Sequence, residues 1–515
     1  MREHTTRSFG CREAILHFLY TFTFTPMPGI EDTLRCSNSR KRLAGTLRRS
    51  SRRVFADVAL HWGSREMEQR GWNDMLDPFL YFRHPHIEAR LHPRTLSVQP
   101  VHNRLSPFEP RRCRANGRIL VFPSGFGILD YRIAVSRSRS ASDGLLGVQE
   151  IVDLLTLGFR YSGSSRKSNQ TSCQLRLTER HKEVFLHQIF SSCVQGCKSM
   201  LNSCSRESHP IEWIEVDNGL VGDWNGVAER THTAVTRFFE LPYPIFVGEM
   251  PGDQYNLLFP PWRVSPEREE LATRPSGVES SDLQQAMMRD LLTVLFRSRE
   301  WHNPDRGFAA KKLDFSVDGV TNMCSIRTWF TRLFHRTCIV LSPDLGIDSR
   351  TGRISKSPGV YLEDALIETV SYLRMMWHVF TVTNARLDPL LSRLYDQMVR
   401  ADEPLSNANP DNEELVATLM SELRQKQREL IRAKADAIRA LQDPITCRLG
   451  SQTMSNVFDH GIECFRIGEL RRATLEKMEH LSRLFEEVSA YLRWNESERI
   501  RAAWRSVRSQ RGKRP

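Results

Sequence analysis

ILVFPSGFGILDYRIAV, residues Ile119–Val135, decides how the first part of this chain folds. Two β-rich runs, Ile119–Phe122 and Ile128–Val135, flank Pro123, Ser124, Gly125, Phe126 and Gly127, which supply turn chemistry, so the stretch predicts a hairpin. The glycine pair also invites comparison with a dinucleotide fingerprint, and the comparison fails on chemistry. The third glycine is missing, Asp130 stands in its place, and a carboxylate there would repel a pyrophosphate. The residues after the turn are β-branched and alternating, which makes a second strand and no helix N-terminus to hold a phosphate. No G-x-x-x-x-G-K-[ST] element occurs, which excludes a P-loop ATPase.

Downstream, Gly147–Leu157 places Val148, Ile151, Val152 and Leu155 on one helical face, giving a local β-β-α order. A further helix is expected from Glu179 towards Leu201, and another over Asp282–Arg297 behind Ser281 as N-cap. Strands are expected at Ile211–Val216, Pro244–Val247, Tyr255–Phe259, Leu313–Val317 and Thr337–Leu341. Upstream, Ala14–Thr25 (AILHFLYTFTFT) follows Arg2, Arg7 and Arg12 in the layout of a signal or transit peptide. Glu3, Glu13 and His17 interrupt that layout and an A-x-A site is missing, so the run reads as a buried strand or helix. Residues 35–53 carry Arg35, Arg40, Lys41, Arg42, Arg48, Arg49, Arg52 and Arg53 with no acid. Such a block reads as a solvated linker, or alternatively as a phosphate-docking arm or import-like signal.

Past Pro358 the β signals stop and three long periodic segments follow. Leu362, Leu366, Val370, Leu373, Trp377 and Phe380 mark the first, with Asp388 and Pro389 starting its continuation. Asp411 and Glu414 form a capping box for the second, which runs to Pro444. The third, from Ile462 to Leu492, carries the seam Ile467, Leu470, Thr474, Met478, Leu481, Phe485, Val488 and Leu492, spaced as in a coiled coil. The fold class expected is therefore an α+β N-terminal region followed by an all-α long-helix bundle. The domains expected are a basic, partly disordered segment at 1–55, an α/β domain at 56–357 divisible into two subdomains, the bundle at 358–498 and a basic tail at 499–515.

At 515 residues the chain is too long for one core, and 40% hydrophobic with 26% charged residues is globular composition. A net charge of +12 favours an anionic partner such as nucleic acid or a nucleotide. Arginine predominates over lysine, which suits bidentate phosphate recognition but also follows from GC-rich coding. Eleven irregularly spaced cysteines point to reduced thiols and a cytoplasmic setting. No apolar run is long enough to predict a membrane-spanning helix.

Two site candidates follow. Glu212, Glu215, Asp217 and Asp223 (IEWIEVDNGLVGDW) have the carboxylate density of a divalent-metal site, the basis of an enzymatic reading. Arg499, Arg501, Trp504, Arg505, Arg508, Arg511, Lys513 and Arg514 combine an aromatic ring with guanidinium groups, the pattern of sequence-tolerant nucleic-acid binding. Cys193 with Cys197, and His84 with His86, have spacings that suit a metal, but each lacks the partner set and reads as ordinary packing. No pattern specifies a cofactor.

The order of elements around FPSGFGILDYRIAV, ALIETVSYLRMMWHVF and IGELRRATLEKMEHLSRLF resembles the soluble part of CorA-like divalent-cation transporters. This sequence contains neither that family's Gly-Met-Asn signature nor its closing membrane helices, so the resemblance implies architecture only: long helices that assemble subunits and an α/β part that senses a ligand. The expected function is a non-enzymatic interaction or sensor protein, with helices for homo-oligomerisation or partner docking and basic segments for an anionic ligand. The alternatives are a metal-dependent enzyme acting on nucleic acid or a phosphorylated substrate, and a soluble CorA relative without transport activity.

Overall fold

The computed structural model of the protein describes residues 9–24, 36–62, 85–100, 109–123, 125–135, 145–157, 175–184, 186–202, 242–258, 330–334, 337–343, 366–384 and 452–511, with scattered residues within 30–34, 286–294, 347–354, 387–392 and at 421. Its elements in chain order are β1 (Gly10–Cys11), β2 (Glu13–Thr23), α1 (Ser37–Ser51), β3 (Phe55–Trp62), β4 (Pro85–Leu91), β5 (Arg94–Pro100), β6 (Arg111–Phe122) and β7 (Phe126–Val135). Then come β8 (Leu146–Gly147), α2 (Val148–Thr156), β9 (Leu175–Glu179), β10 (Lys182–Val184), α3 (Leu186–Asn202), β11 (Tyr243–Glu249), α4 (Gly252–Leu258), β12 (Phe330–Phe334), β13 (Thr337–Ser342), β14 (Ile347–Asp348) and β15 (Arg353–Ile354). Residues 366–384 form helix α5, followed by α6 (Gln452–Cys464) and α7 (Ile467–Arg511). The protein is mixed α+β, and past residue 366 every described element is helical.

Among the described residues the sheet has eleven strands, ordered β10-β9-β5-β6-β7-β2-β11-β13-β12, with β4 also on β6 and β3 on β4. β6 is where it divides: its first half pairs with β5, its second half with β4, and its other edge with β7 from Cys113 to Phe122. Among the described strands β11 and β13 are the pair that runs parallel. The expected hairpin is present as β6 and β7, with Gly125 N–H donating to the Phe122 carbonyl at 3.0 Å. Gly125 has φ 95°, a left-handed conformation that glycine adopts without a Cβ penalty.

Side-chain alternation sorts the sheet into two chemistries. On one face Leu16, Phe18, Tyr20 and Phe22 of β2, Leu129, Tyr131 and Ile133 of β7, and Ala115, Ile119 and Val121 of β6 join the main apolar core. The helices close that face with Leu43 and Leu47 of α1, Ile151 and Leu155 of α2, and Ile189, Phe190, Cys193 and Cys197 of α3. Glu150 anchors α2 twice: it accepts the Gly147 N–H at 2.8 Å and pairs with buried Arg111 of β6 at 3.3 Å. The opposite face carries charged residues in its middle, described below.

Several expectations change. Residues within the expected basic segment supply the sheet's central strand: β2 is buried from Ala14 to Thr23 and pairs with β7 and β11. A strand buried on both faces reads as a continuous apolar run, which is why its sequence also looked like a targeting segment. Residues 37–51, expected as a linker, are helix α1, because Leu34, Leu43 and Leu47 give the chain an apolar edge to bury. The start of the helix expected from Glu179 is instead the β9–β10 turn, where Arg180 and His181 have φ 49° and 67°. Tyr255–Phe259 was expected as a strand; Gly252–Leu258 is helical and buries Gln254, Tyr255 and Leu258. The strands expected at 211–216 and 313–317 and the helix at 411–444 lie outside the described residues, apart from a helical Ser421.

The chain clusters into two compact units, Met1–Met375 with Leu449–Phe465, and Met376–Arg448 with Arg466–Pro515. The first unit therefore extends past Pro358 and takes in α6. There Phe465 packs edge-on to Tyr243 at 5.5 Å, and the buried Arg374 guanidinium lies 4.9 Å from the Tyr243 ring. Arg466, with φ 52°, separates α6 from α7. Among the described residues no helix is long and apolar enough to cross a membrane.

Candidate nucleic-acid interface

α7 changes character along its length. In its first half Ile467, Thr474, Met478, Leu481 and Phe485 of the expected seam are buried and Leu470 is half-buried, while Val488 and Leu492 lie outside the described side chains. Asn384 Nδ2 donates to Thr474 Oγ1 at 2.7 Å, Thr474 Oγ1 donates to the Leu470 carbonyl at 2.7 Å, and Lys477 Nζ reaches Asp388 Oδ1 at 2.6 Å. This half of the helix is thus held within its own unit by packing and by hydrogen bonds with good geometry.

Past the expected seam, whose last members Val488 and Leu492 lie outside the described side chains, a second spacing runs along the helix. Trp494, Ser497, Arg501, Trp504, Arg508 and Arg511 follow a 3-4-3-4-3 spacing that keeps them on one stripe. At 1.5 Å per residue this stripe is about 26 Å long. Trp494 is 60% exposed and Trp504 71%, the two large hydrophobic side chains that stand in water among the described residues. Ser497, Arg501 and Arg505 are exposed with them. The helix runs without interruption to Arg511, so the residues expected as a separate tail stand on the same rigid rod. Lys513 and Arg514 lie outside the described residues. Trp494 and Ser497 were not singled out from the sequence, although the spacing that links them to Trp504 was there to be read.

Chemically, an indole offers a flat apolar face on which any base can stack, and a guanidinium offers a planar pair of donors for phosphate. Residues 499–515 contain seven basic residues and no acid, so the field near Trp504 is positive.

A second cluster of charge lies on the polar face of the sheet. His17 Nδ1 and Asp130 Oδ1 are 2.9 Å apart, Arg118 Nε is 3.6 Å from Asp130 Oδ2, and Arg118 Nη1 donates to Glu368 Oε1 at 3.2 Å. Next in line, Glu88 accepts from Arg90 Nε at 2.9 Å and lies 3.4 Å from His61 Nε2, whose ring stacks on His86 at 4.5 Å. These residues cross five adjacent strands, β2, β7, β6, β4 and β3, with the Asp130 and Glu88 carboxylates set between His17, Arg118 and His61. Burial pushes the Asp130 carboxyl up, but His17, Arg118 and Arg132 outweigh it and hold it below the usual carboxylate range. Glu88 is held low in the same way: burial is opposed by His61, Arg118 and Arg90. Each carboxylate is thus committed to a cation, and the row ties strands together.

The remaining sequence candidates fall elsewhere. Glu212, Glu215, Asp217 and Asp223 lie outside the described residues, as does His84. His86 is 1% exposed between His61 and Phe122. Cys193 and Cys197 are buried in the core, where burial pushes the Cys193 thiol up to about 12 and raises Cys197 further. Among the described residues no group of three or more His, Cys, Asp or Glu side chains is placed to hold a metal ion. No family model, no curated protein and no solved structure matches this chain.

Proposed function

We propose that the protein is a non-enzymatic interaction protein that binds single-stranded nucleic acid along the Trp494–Arg511 stripe of a carboxy-terminal long-helix bundle. The observation that carries this reading is the pair of exposed tryptophans set among arginines on one face of a single helix. Indole rings are enriched where one side chain must meet both apolar and polar partners, and a partner that covers both indoles and guanidinium groups must itself combine flat apolar faces with anionic charge. Unpaired bases on a phosphate backbone do so. The seam Ile467–Phe485 is already buried within one chain, so any homo-oligomer must use other surface. The metal-dependent enzyme and the CorA-like sensor draw no support from the described residues.

The test is fluorescence anisotropy of a labelled 20-nucleotide oligo-dT with the full chain. Trp504→Ala is expected to weaken binding by about 1–3 kcal/mol, the usual worth of one stacked base, while the far-ultraviolet circular dichroism stays unchanged. Saturable binding that Trp504→Ala leaves intact, or no binding at low salt, overturns the reading.

A further inference from the structure

We infer that α1 and the turn after it form a second, stacking-free surface that takes the phosphate backbone of duplex nucleic acid. Lys41, Arg42, Arg48, Arg49, Arg52 and Arg53 are all exposed on this one short element. The inner side of the helix is fixed by Leu43 and Leu47, which are 9% and 0% exposed against the core, so the cations are presented from a rigid mount. Their internal neutralisation is slight. Arg48 Nε donates to the Val58 carbonyl at 3.2 Å and its Nη2 lies 3.6 Å from the exposed Asp57, while Arg49 Nε donates to the Gly45 carbonyl at 3.2 Å. Asp57 is the one acidic partner these six cations have among the described residues.

The helix dipole accounts for part of this pattern, since cations are favoured near a carboxyl end, where Arg48, Arg49, Arg52 and Arg53 sit. It does nothing for Lys41 and Arg42, which fall earlier in the helix. A second observation points outward. Gly45 is an exposed glycine in the middle of α1, and a Cβ built on it would meet no atom of the described residues within 4 Å. Helix-interior glycine lowers stability relative to alanine, and among the described residues no neighbour requires the space. Gly45 shares the i, i+4 row of Lys41 and Arg49, so the bare backbone lies at the centre of the cationic face. A large rigid polyanion can approach the helix closely there.

The absence of an exposed aromatic ring on α1 removes any preference for unpaired bases, which separates this surface from the tryptophan stripe. A purely electrostatic surface favours the polyanion with the densest charge, and duplex DNA releases more counterions per phosphate than a single strand. An anionic membrane fits less well, because the apolar side chains of α1 are spent on the core and cannot insert into lipid.

The experiment uses the full chain and a labelled 20-base-pair duplex, titrated between 50 and 200 mM KCl, roughly the range over which phosphate contacts dominate the salt response. Neutralising Lys41, Arg42, Arg52 and Arg53 together to glutamine is expected to reduce the slope of log K against log salt by about 3 to 4, at about 0.9 for each phosphate no longer neutralised. Trp504→Ala is expected to leave the duplex slope unchanged, so this inference and the tryptophan-stripe reading can fail separately. Gly45→Leu should raise the unfolding midpoint and weaken duplex binding several-fold, a combination that a merely structural α1 would not produce. An unchanged slope in the quadruple variant overturns the inference. Loss of binding to phosphatidylserine vesicles, with duplex binding retained, overturns it in favour of a lipid surface.

Discussion

Asp130 shows how far a single residue can be read before its partners are known. In the sequence its carboxylate excluded a pyrophosphate site; in the structure it is buried between His17 of β2 and Arg118 of β6. Removing one member of a buried, hydrogen-bonded ion pair leaves the other charge without compensation. Asp130→Ala is therefore expected to destabilise the protein by about 3–5 kcal/mol in urea unfolding, and Asp130→Asn by less. The pH dependence has a definite sign. The carboxyl is held below its ordinary value in the folded state, so its stabilisation is complete above the ordinary carboxylate range and is lost as pH falls below about 4. Glu88 contributes with the same sign. Unfolding midpoints measured from pH 7 down to pH 3 should fall less steeply in Asp130→Asn than in the parent chain. None of this network was legible beforehand, because His17 and Asp130 are 113 residues apart in sequence and Arg118 and Glu368 are 250 apart.

Elements were readable wherever their pattern was local. The β6–β7 hairpin carries its own turn and α2 its own apolar face, and both stand where the sequence put them. The helix expected from Ile462 to Leu492 is instead broken at Arg466 and runs on as α7 to Arg511, with its seam starting at Ile467. The elements misread were those whose character depends on what they touch. α1 looked like a linker because eight basic residues hide two leucines that matter more, whereas β2 was read as a buried strand or helix, its likeness to a targeting run set aside, and needed its neighbours to decide between the two. Leu47 is completely buried, and its truncation discriminates between the two views of this segment. Were residues 35–53 a solvated linker, Leu47→Ala would change stability by no more than about 0.5 kcal/mol. Because α1 is seated on the core, the expected cost is about 2–5 kcal/mol, measured by chemical denaturation.

At the scale of the whole molecule, net charge and its placement are separate questions. A chain at +12 attracts anions anywhere on its surface, and bulk composition alone could not say whether any segment was arranged to hold one. The structure adds arrangement: on α7 the described buried residues, Ile467 to Phe485, precede the exposed Trp494, Ser497, Arg501 and Trp504, so packing and the proposed binding surface occupy successive lengths of the same helix. Truncation after Glu498 uses that separation. It removes seven positive charges, more than half of the net +12, together with Trp504, yet leaves Ile467–Phe485 and its partners Asn384 and Asp388 in place. The shortened chain is expected to unfold within about 0.5 kcal/mol of the parent, since the described side chains that it removes are exposed. Its affinity for single-stranded DNA should fall by an order of magnitude or more at low salt, and the two chains should converge as salt rises, because screening weakens the contacts that the truncation removes. A large loss of stability would mean that residues 499–515 cover apolar surface, and the division of α7 into a packed half and a binding half would have to be abandoned.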